Sequence, residues 1–272
     1  MLRDMTLGQF FPGHSVIHKL DPRMKIILSF LYIVLVFSAK TLPSFGLVAL
    51  TAVSLVLLSH ISFITILKSM KPVLFIIVFT AVMNLLWGDG QQVLVQFWKI
   101  TIYYEGVRFA LLMVLRIALL ISGTFVILTY TTSPVALTDA IERLTSPLGK
   151  LGLPTHEFAM MMSIALRFIP TLVEETDKIM CAQKARGANF ETGSLMKRAK
   201  ALVPILIPLF ISSFRRADEL ASAMECRLYH GGAGRTRMKV LHLSAADFAV
   251  LIALCVMLAG VFVCNAQFEV LI

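Results

Sequence analysis

Residues 107–130 read VRFALLMVLRIALLISGTFVILTY, with Arg108 and Arg116 as their charges. A bilayer core is crossed by roughly 20 mostly apolar residues in a helix, so this stretch reads as a membrane span. The same reading recurs along the chain. Residues 26–39 (IILSFLYIVLVFSA) are apolar but short, and reach span length if Met24, Lys25 and Lys40 snorkel. A second span lies in the charge-free run 41–67, a third at 72–87 before Gly88-Asp89-Gly90, and a last one at 248–267. The first 25 residues are mixed polar, so no signal peptide is expected there.

The composition agrees. Of 272 residues, 58% are apolar and 15% charged, and the mean hydropathy is +0.83. Soluble domains average about 45–50% apolar and about 25% charged. A water-soluble globule, a disordered chain and a disulfide scaffold are therefore disfavoured. The net charge of +9 points first to cytoplasmic loops and not to nucleic acid. Cys181, Cys226, Cys255 and Cys264 form no CxxC pair and have no His at zinc-ligand spacing. Neither a metal nor a disulfide framework is expected. The fold class is all-α: a polytopic membrane protein with about five transmembrane helices and two long cytoplasmic helices.

Basic residues set the orientation. Residues 1–25 carry Arg3, Lys19, Arg23 and Lys25, the 59–71 loop carries Lys68 and Lys71, and 131–245 carries fifteen. The loops on the other side carry Lys40 and Lys99, and the tail after Gln267 carries none. The positive-inside rule then puts the N-terminus and 131–245 in the cytoplasm and the C-terminus outside. The expected division is a membrane region with four spans (1–130), a cytoplasmic or interfacial region (131–245) and a C-terminal span (246–272).

Within 131–245, Ser133 reads as an N-cap with Pro134 at the first helical position. A short helix to about 148 is expected, then a break at Pro147, Gly149, Gly152 and Pro154. From 155 to 186, Phe158, Met161, Met162, Ala165, Ile169, Leu172 and Val173 recur at steps of three and four, the period of one helix face. A second such run includes Leu195, Ala199, Leu202, Val203, Leu206, Phe210, Ala217, Leu220 and Met224. Each run is long enough for a helix of about 45 Å, kinked at Pro170, Pro204 and Pro208. The first halves are apolar and the second halves charged.

The two runs end alike: DKIMCAQKARGAN at 177–189 and DELASAMECRLYH at 218–230. Asp177 precedes Arg186 by nine residues, and Asp218 precedes Arg227 by nine. An Arg near a helix C-terminus complements the macrodipole, by about 0.3–1 kcal/mol. Repetition of the whole pattern favours two matched, partner-facing ends, since Arg pairs with carboxylates through a planar fork.

At these residues the chain resembles the transmembrane T component of energy-coupling factor (ECF) transporters, modular bacterial and archaeal importers of vitamins and transition-metal ions. The resemblance runs through His18-Lys19-Leu20-Asp21-Pro22-Arg23, Thr131-Thr132-Ser133-Pro134 and Ala165-Leu166-Arg167-Phe168-Ile169-Pro170. It continues through Ala182-Gln183-Lys184-Ala185-Arg186-Gly187 and Arg216-Ala217-Asp218-Glu219-Leu220-Ala221, and so covers nearly the whole chain. It implies a multi-pass protein of the bacterial or archaeal cell membrane that is not itself an enzyme and takes no cofactor. Its two coupling helices join two cytosolic ATPase subunits, identical or not, to one small membrane S component that binds substrate. The implied ATPase-docking residues are Ala185, Arg186 and Gly187 on the first helix, and Cys226, Arg227 and Leu228 on the second. Asp177 and Asp218 support the helix ends, and Met161, Met162, Leu206 and Phe210 face the S component. Leu228 departs from the small-Arg-Gly pattern. The left-handed conformation costs an L-residue about 1–2 kcal/mol, so the second helix is expected to run on toward the glycines at 231–234 and to dock differently.

Other chemistry finds less support. Gly149-Lys150 resembles the end of a phosphate loop, but Leu144 and Leu151 break the motif at two points. Glu174-Glu175-Thr176-Asp177 reads as a solvated helix face, and His156 as a polar boundary residue. Arg116 is costly within a span. Packing against carbonyls or against Ser122 and Thr124 is one reading, a role in substrate passage the other. The 14 methionines suit either core filling or an adaptable partner surface. The alternative function is a membrane-embedded enzyme, such as a lipid-modifying transferase at the cytoplasmic face. That requires titratable groups converging in one pocket, whereas the sequence offers two separated helix ends.

Overall fold

The computed structural model describes residues 10–87, 93–97, 100–147, 154–190, 194–231 and 241–268. Helix α1 (Val16–Lys19) is capped by the Ser15 hydroxyl, and α2 (Pro22–Ser38) opens with Asp21 as N-cap and Pro22 in its first turn. Thr41 and Ser44 form a capping box at the start of α3 (Leu42–Ser59). That helix stops at His60, which adopts the left-handed conformation at φ 55°.

Here the expectation of a loop over 59–71 fails. The turn is short, and α4 (Phe63–Met70), a 3-10 turn (Lys71–Val73) and α5 (Leu74–Trp87) come directly after it. The basic residues that suggested a loop sit on a helix: Lys68 is exposed while Ile66 is 2% exposed. A short antiparallel ribbon of β1 (Val93–Phe97) and β2 (Ile100–Tyr103) precedes α6 (Tyr104–Thr124) and holds the only strands among the described residues. The sequence had not signalled it. α6 runs on as a π-helical turn, Phe125–Tyr130. Next come α7 (Pro134–Thr145), α8 (Thr155–Ala185), α9 (Leu195–Cys226) and α10 (Ala245–Gln267). Ser133 caps α7 as expected, its hydroxyl accepting from the Ala136 N–H at 3.3 Å. Gly88-Asp89-Gly90, Gly149, Gly152, Gly232 and Gly234 lie outside the described residues.

Among the described residues, four stretches are long and apolar enough to cross a membrane: Leu42–Ser59, Phe63–Leu86, Tyr104–Tyr130 and Ala245–Gln267. Helix α2 is mostly apolar but, at 17 residues, is shorter than these four. The all-α, polytopic reading therefore holds.

By packing, the described residues divide into two units: 10–140 with 241–268, and 141–231. The first, the membrane unit, has a core in which Tyr32, Leu35, Val36, Phe45, Val48, Val126, Ile127 and Val261 are all buried. Gly123 makes this packing possible. A Cβ there would overlap the ring and hydroxyl of Tyr32, whose O–H donates to the Leu119 carbonyl at 2.8 Å. Arg116 donates to the Ala39 carbonyl at the C-terminal end of α2 and lies 5.3 Å over the Phe45 ring. Ser122 and Thr124 donate to carbonyls of their own helix. Of the two readings of Arg116, the structure shows packing against a carbonyl.

Lys25 corrects a second expectation. It does not snorkel but is 1% exposed, and its Nζ donates to the carbonyls of Thr131 (2.7 Å) and His18 (3.3 Å). An ammonium without partners would be expensive to bury, and these acceptors stand in for water. Beside it, the fully buried carboxylate of Asp247 accepts from the Asp21 N–H (2.9 Å) and from the Ser244 N–H (2.7 Å) and hydroxyl (3.0 Å). Arg23 grips Asp21 through both Nε and Nη2 and reaches the Leu241 carbonyl at 3.2 Å.

Candidate functional site

The second unit holds the two long helices. α8 has 31 residues and α9 has 32, so each extends for about 45 Å. Where they meet, Glu175 accepts from the Ser212 hydroxyl and from Arg216 Nη2 at 2.8 Å, and the Gln183 amide donates to the Pro204 carbonyl at 3.5 Å. These pairings run in opposite order along the two helices, so α8 and α9 pass antiparallel and their C-terminal ends point apart. The acidic run 174–177 is thus not simply a solvated face. The Ser212 hydrogen bond, helped by Arg216, holds the Glu175 carboxyl below the usual carboxylate range. His156 is more than a boundary residue, since its Nδ1 lies 2.9 Å from the Glu142 carboxylate.

The two helix ends have the same backbone. After Ala185, Arg186 caps α8, Gly187 turns left-handed at φ 88°, the Gly187 N–H donates to the Lys184 carbonyl (3.0 Å), and the Ala188 N–H donates to the Gln183 carbonyl (3.0 Å). After Cys226, Arg227 caps α9, Leu228 turns left-handed at φ 54°, the Leu228 N–H donates to the Glu225 carbonyl (2.9 Å), and the Tyr229 N–H donates to the Met224 carbonyl (3.0 Å). Both are Schellman stops, in which the two bonds satisfy carbonyls the helix leaves open.

This overturns the expectation that the second helix runs on to the glycines: it ends at Cys226, and Leu228 accepts the left-handed conformation. The cost of about 1–2 kcal/mol is offset by two backbone hydrogen bonds, each worth about 0.5–1.5 kcal/mol net. The side chain of Leu228 is 76% exposed, so no burial compensates it.

Ala185, Arg186, Gly187, Cys226, Arg227 and Leu228 are all exposed. Among the described residues, neither the Arg186 nor the Arg227 guanidinium makes an ion pair or side-chain hydrogen bond. Asp177 is half-buried and Asp218 exposed. Each lies about 13 Å along its helix from its Arg, too far for a direct pair. Met161 and Met162 on α8, and Leu206 and Phe210 on α9, are exposed apolar side chains on the first halves of their helices. Phe210 stacks on Phe214, with ring centroids 6.5 Å apart. The structure therefore offers two separate cationic helix ends and an apolar surface. No group of three or more His, Cys, Asp or Glu is placed to hold a metal among the described residues.

Sequence reasoning passed over the buried cluster of Asp21, Arg23, Lys25 and Asp247. Its first three members lie within or beside His18-Lys19-Leu20-Asp21-Pro22-Arg23, but Asp247 is 226 positions from Asp21, and no local pattern joins them.

Comparison with known proteins bears on these features. The model of the cobalt transport protein family CbiQ matches residues 13–240. The energy-coupling factor transporter transmembrane protein EcfT of Clostridium kluyveri is 53% identical over 249 residues, covering 91% of this chain and 92% of that protein. EcfT of Bacillus subtilis is 43% identical over 266 residues, covering 98% and 100%. These relatives carry the name of a transporter component, and the membrane-enzyme alternative finds no support among them. The chain belongs to the family of energy-coupling factor transporter transmembrane proteins.

Proposed function

We propose that this chain is the non-catalytic coupling subunit of an ATP-driven ECF importer. Arg186 and Arg227 each anchor one cytosolic ATPase subunit by a charge-assisted pair with a groove carboxylate. The observation that carries this reading is the duplicated helix end: the same backbone stop on two long helices, each presenting an exposed Arg with no partner among the described residues. A dipole cap needs no such repetition. Leu228 supports it as well, since an exposed leucine held left-handed is the kind of strain that collects at functional sites. The exposed apolar halves of α8 and α9, with Met161, Met162, Leu206 and Phe210, hold the S component, and flexible methionine suits a surface that accepts several partners. ATP is hydrolysed by the partners.

The test is biochemical. Purified with its complex, the chain is expected to bring down two ATPase subunits and one small membrane protein. Purified alone, it is expected to hydrolyse no ATP above background. Turnover by a preparation free of ATPase subunits would contradict the reading.

The same reading places the N-terminus and the coupling helices in the cytoplasm and the C-terminus outside. In a background without native cysteines, Ser194→Cys is expected to resist membrane-impermeant thiol reagents in intact cells, while Gln267→Cys reacts. The reverse labelling would invert the topology.

A further inference from the structure

Among the described residues the chain leaves the membrane unit for the coupling helices once, after Ala140, and returns once, at Leu241. Near the first exit, Thr131 comes after the π-helical turn and leads into α7. Its carbonyl is held by the Lys25 ammonium at 2.7 Å. At the return, the Leu241 carbonyl is held by Arg23 Nη2 at 3.2 Å. Three residues on, Ser244 is tied by two bonds to Asp247, whose other oxygen accepts from the Asp21 N–H at 2.9 Å. Arg23 closes the set by gripping Asp21 at 3.2 and 2.9 Å. Both connections are thus fastened to one five-residue stretch, 21–25, at the start of α2.

The chemistry chosen is unusual for a fastening. Lys25, Asp21 and Asp247 are 1%, 5% and 0% exposed. Replacing a buried ionic cluster by apolar residues is often neutral or stabilising, so such a cluster is weak support for stability as such. What it supplies is geometry: an ammonium and a carboxylate with several fixed partners permit one arrangement of the chains they join. These connections are where the chain itself joins the two units.

We propose that Asp21, Arg23, Lys25 and Asp247 form a positioning clamp that fixes both exits of the coupling helices to the head of α2, so that ATP-driven movement is transmitted to the membrane unit. This rests on the coupling role proposed above for α8 and α9. The clamp touches neither nucleotide nor substrate. Its loss therefore separates hydrolysis from transport and leaves assembly in place.

The test uses the whole complex in proteoliposomes, with uptake and ATP hydrolysis both normalised to assembled complex. Lys25→Met keeps the apolar stem and removes the ammonium, and Asp247→Asn keeps the shape and removes the charge. Each is expected to lower uptake at least tenfold while ATP hydrolysis stays within threefold of wild type. Arg23→Gln, on a side chain 23% exposed, carries the same expectation with little burden on folding. Uptake within twofold of wild type in all three would overturn the proposal. So would uptake and hydrolysis falling in proportion, or loss of all three variants from the membrane, since either result reduces the cluster to a folding requirement. Arg186→Ala with Arg227→Ala, run alongside, separates the two ideas. If ATPase subunits stay bound to that variant, the docking reading fails, whereas the clamp is judged on variants that retain them.

Discussion

Arg186→Ala combined with Arg227→Ala is expected to nearly abolish uptake in a strain lacking the native chain, at normal membrane abundance. Each single change weakens it. Losing one partner of a desolvated charge pair costs about 2–5 kcal/mol, or on the order of 30- to several-thousand-fold in affinity. Neither Arg has a partner among the described residues, so their removal breaks no described contact and the loss is read as lost docking. Lysine at either position is expected to rescue poorly. An ammonium keeps the charge, and the macrodipole interaction with it, but cannot form the planar fork. Rescue by lysine to wild-type uptake would reduce both residues to dipole caps.

Gly123→Ala carries the second large effect, this time on the fold. The added methyl group would occupy space filled by the Tyr32 ring, and Tyr32 is fully buried between α2 and α6. Overpacking costs about 1–3 kcal/mol, and displacing the ring also breaks its hydroxyl bond to Leu119. Gly123→Ala is expected to lower the thermal midpoint and the yield of monodisperse protein. Gly123→Ala with Tyr32→Leu, which makes room for the methyl group, is expected to recover part of both. A single variant that melts with the wild type would show that α2 and α6 do not meet as described.

Local periodicity made most of the helices legible in the sequence. Apolar runs marked the spans, and the steps of three and four marked α8 to within a residue of its end. Ser133 and Pro134 correctly placed the start of α7. Features that depend on the third dimension stayed hidden. Lys68 looked like a loop charge because a one-dimensional count does not see that the same turn of α4 buries Ile66. Leu228 looked like a poor stop because propensity weighs the residue alone, whereas the Schellman bonds of Leu228 and Tyr229 belong to the whole turn. Lys25 looked like a snorkelling residue because its acceptor, the Thr131 carbonyl, lies 106 positions away. Of the candidate site, the duplicated Asp-to-Arg pattern singled out both arginines, whose docking role is the proposal made above. The pattern did not reveal that the two ends share one backbone geometry.

The most direct measurement of the coupling role is a pull-down through a tag on this chain, in the presence of both ATPase subunits and the S component. From the Arg186→Ala, Arg227→Ala variant, the ATPase subunits are expected to be lost while the S component is retained, because the proposed S-component surface, on the apolar halves of α8 and α9, is left unchanged. Wild-type recovery of the ATPase subunits by that variant would contradict docking through the two helix ends.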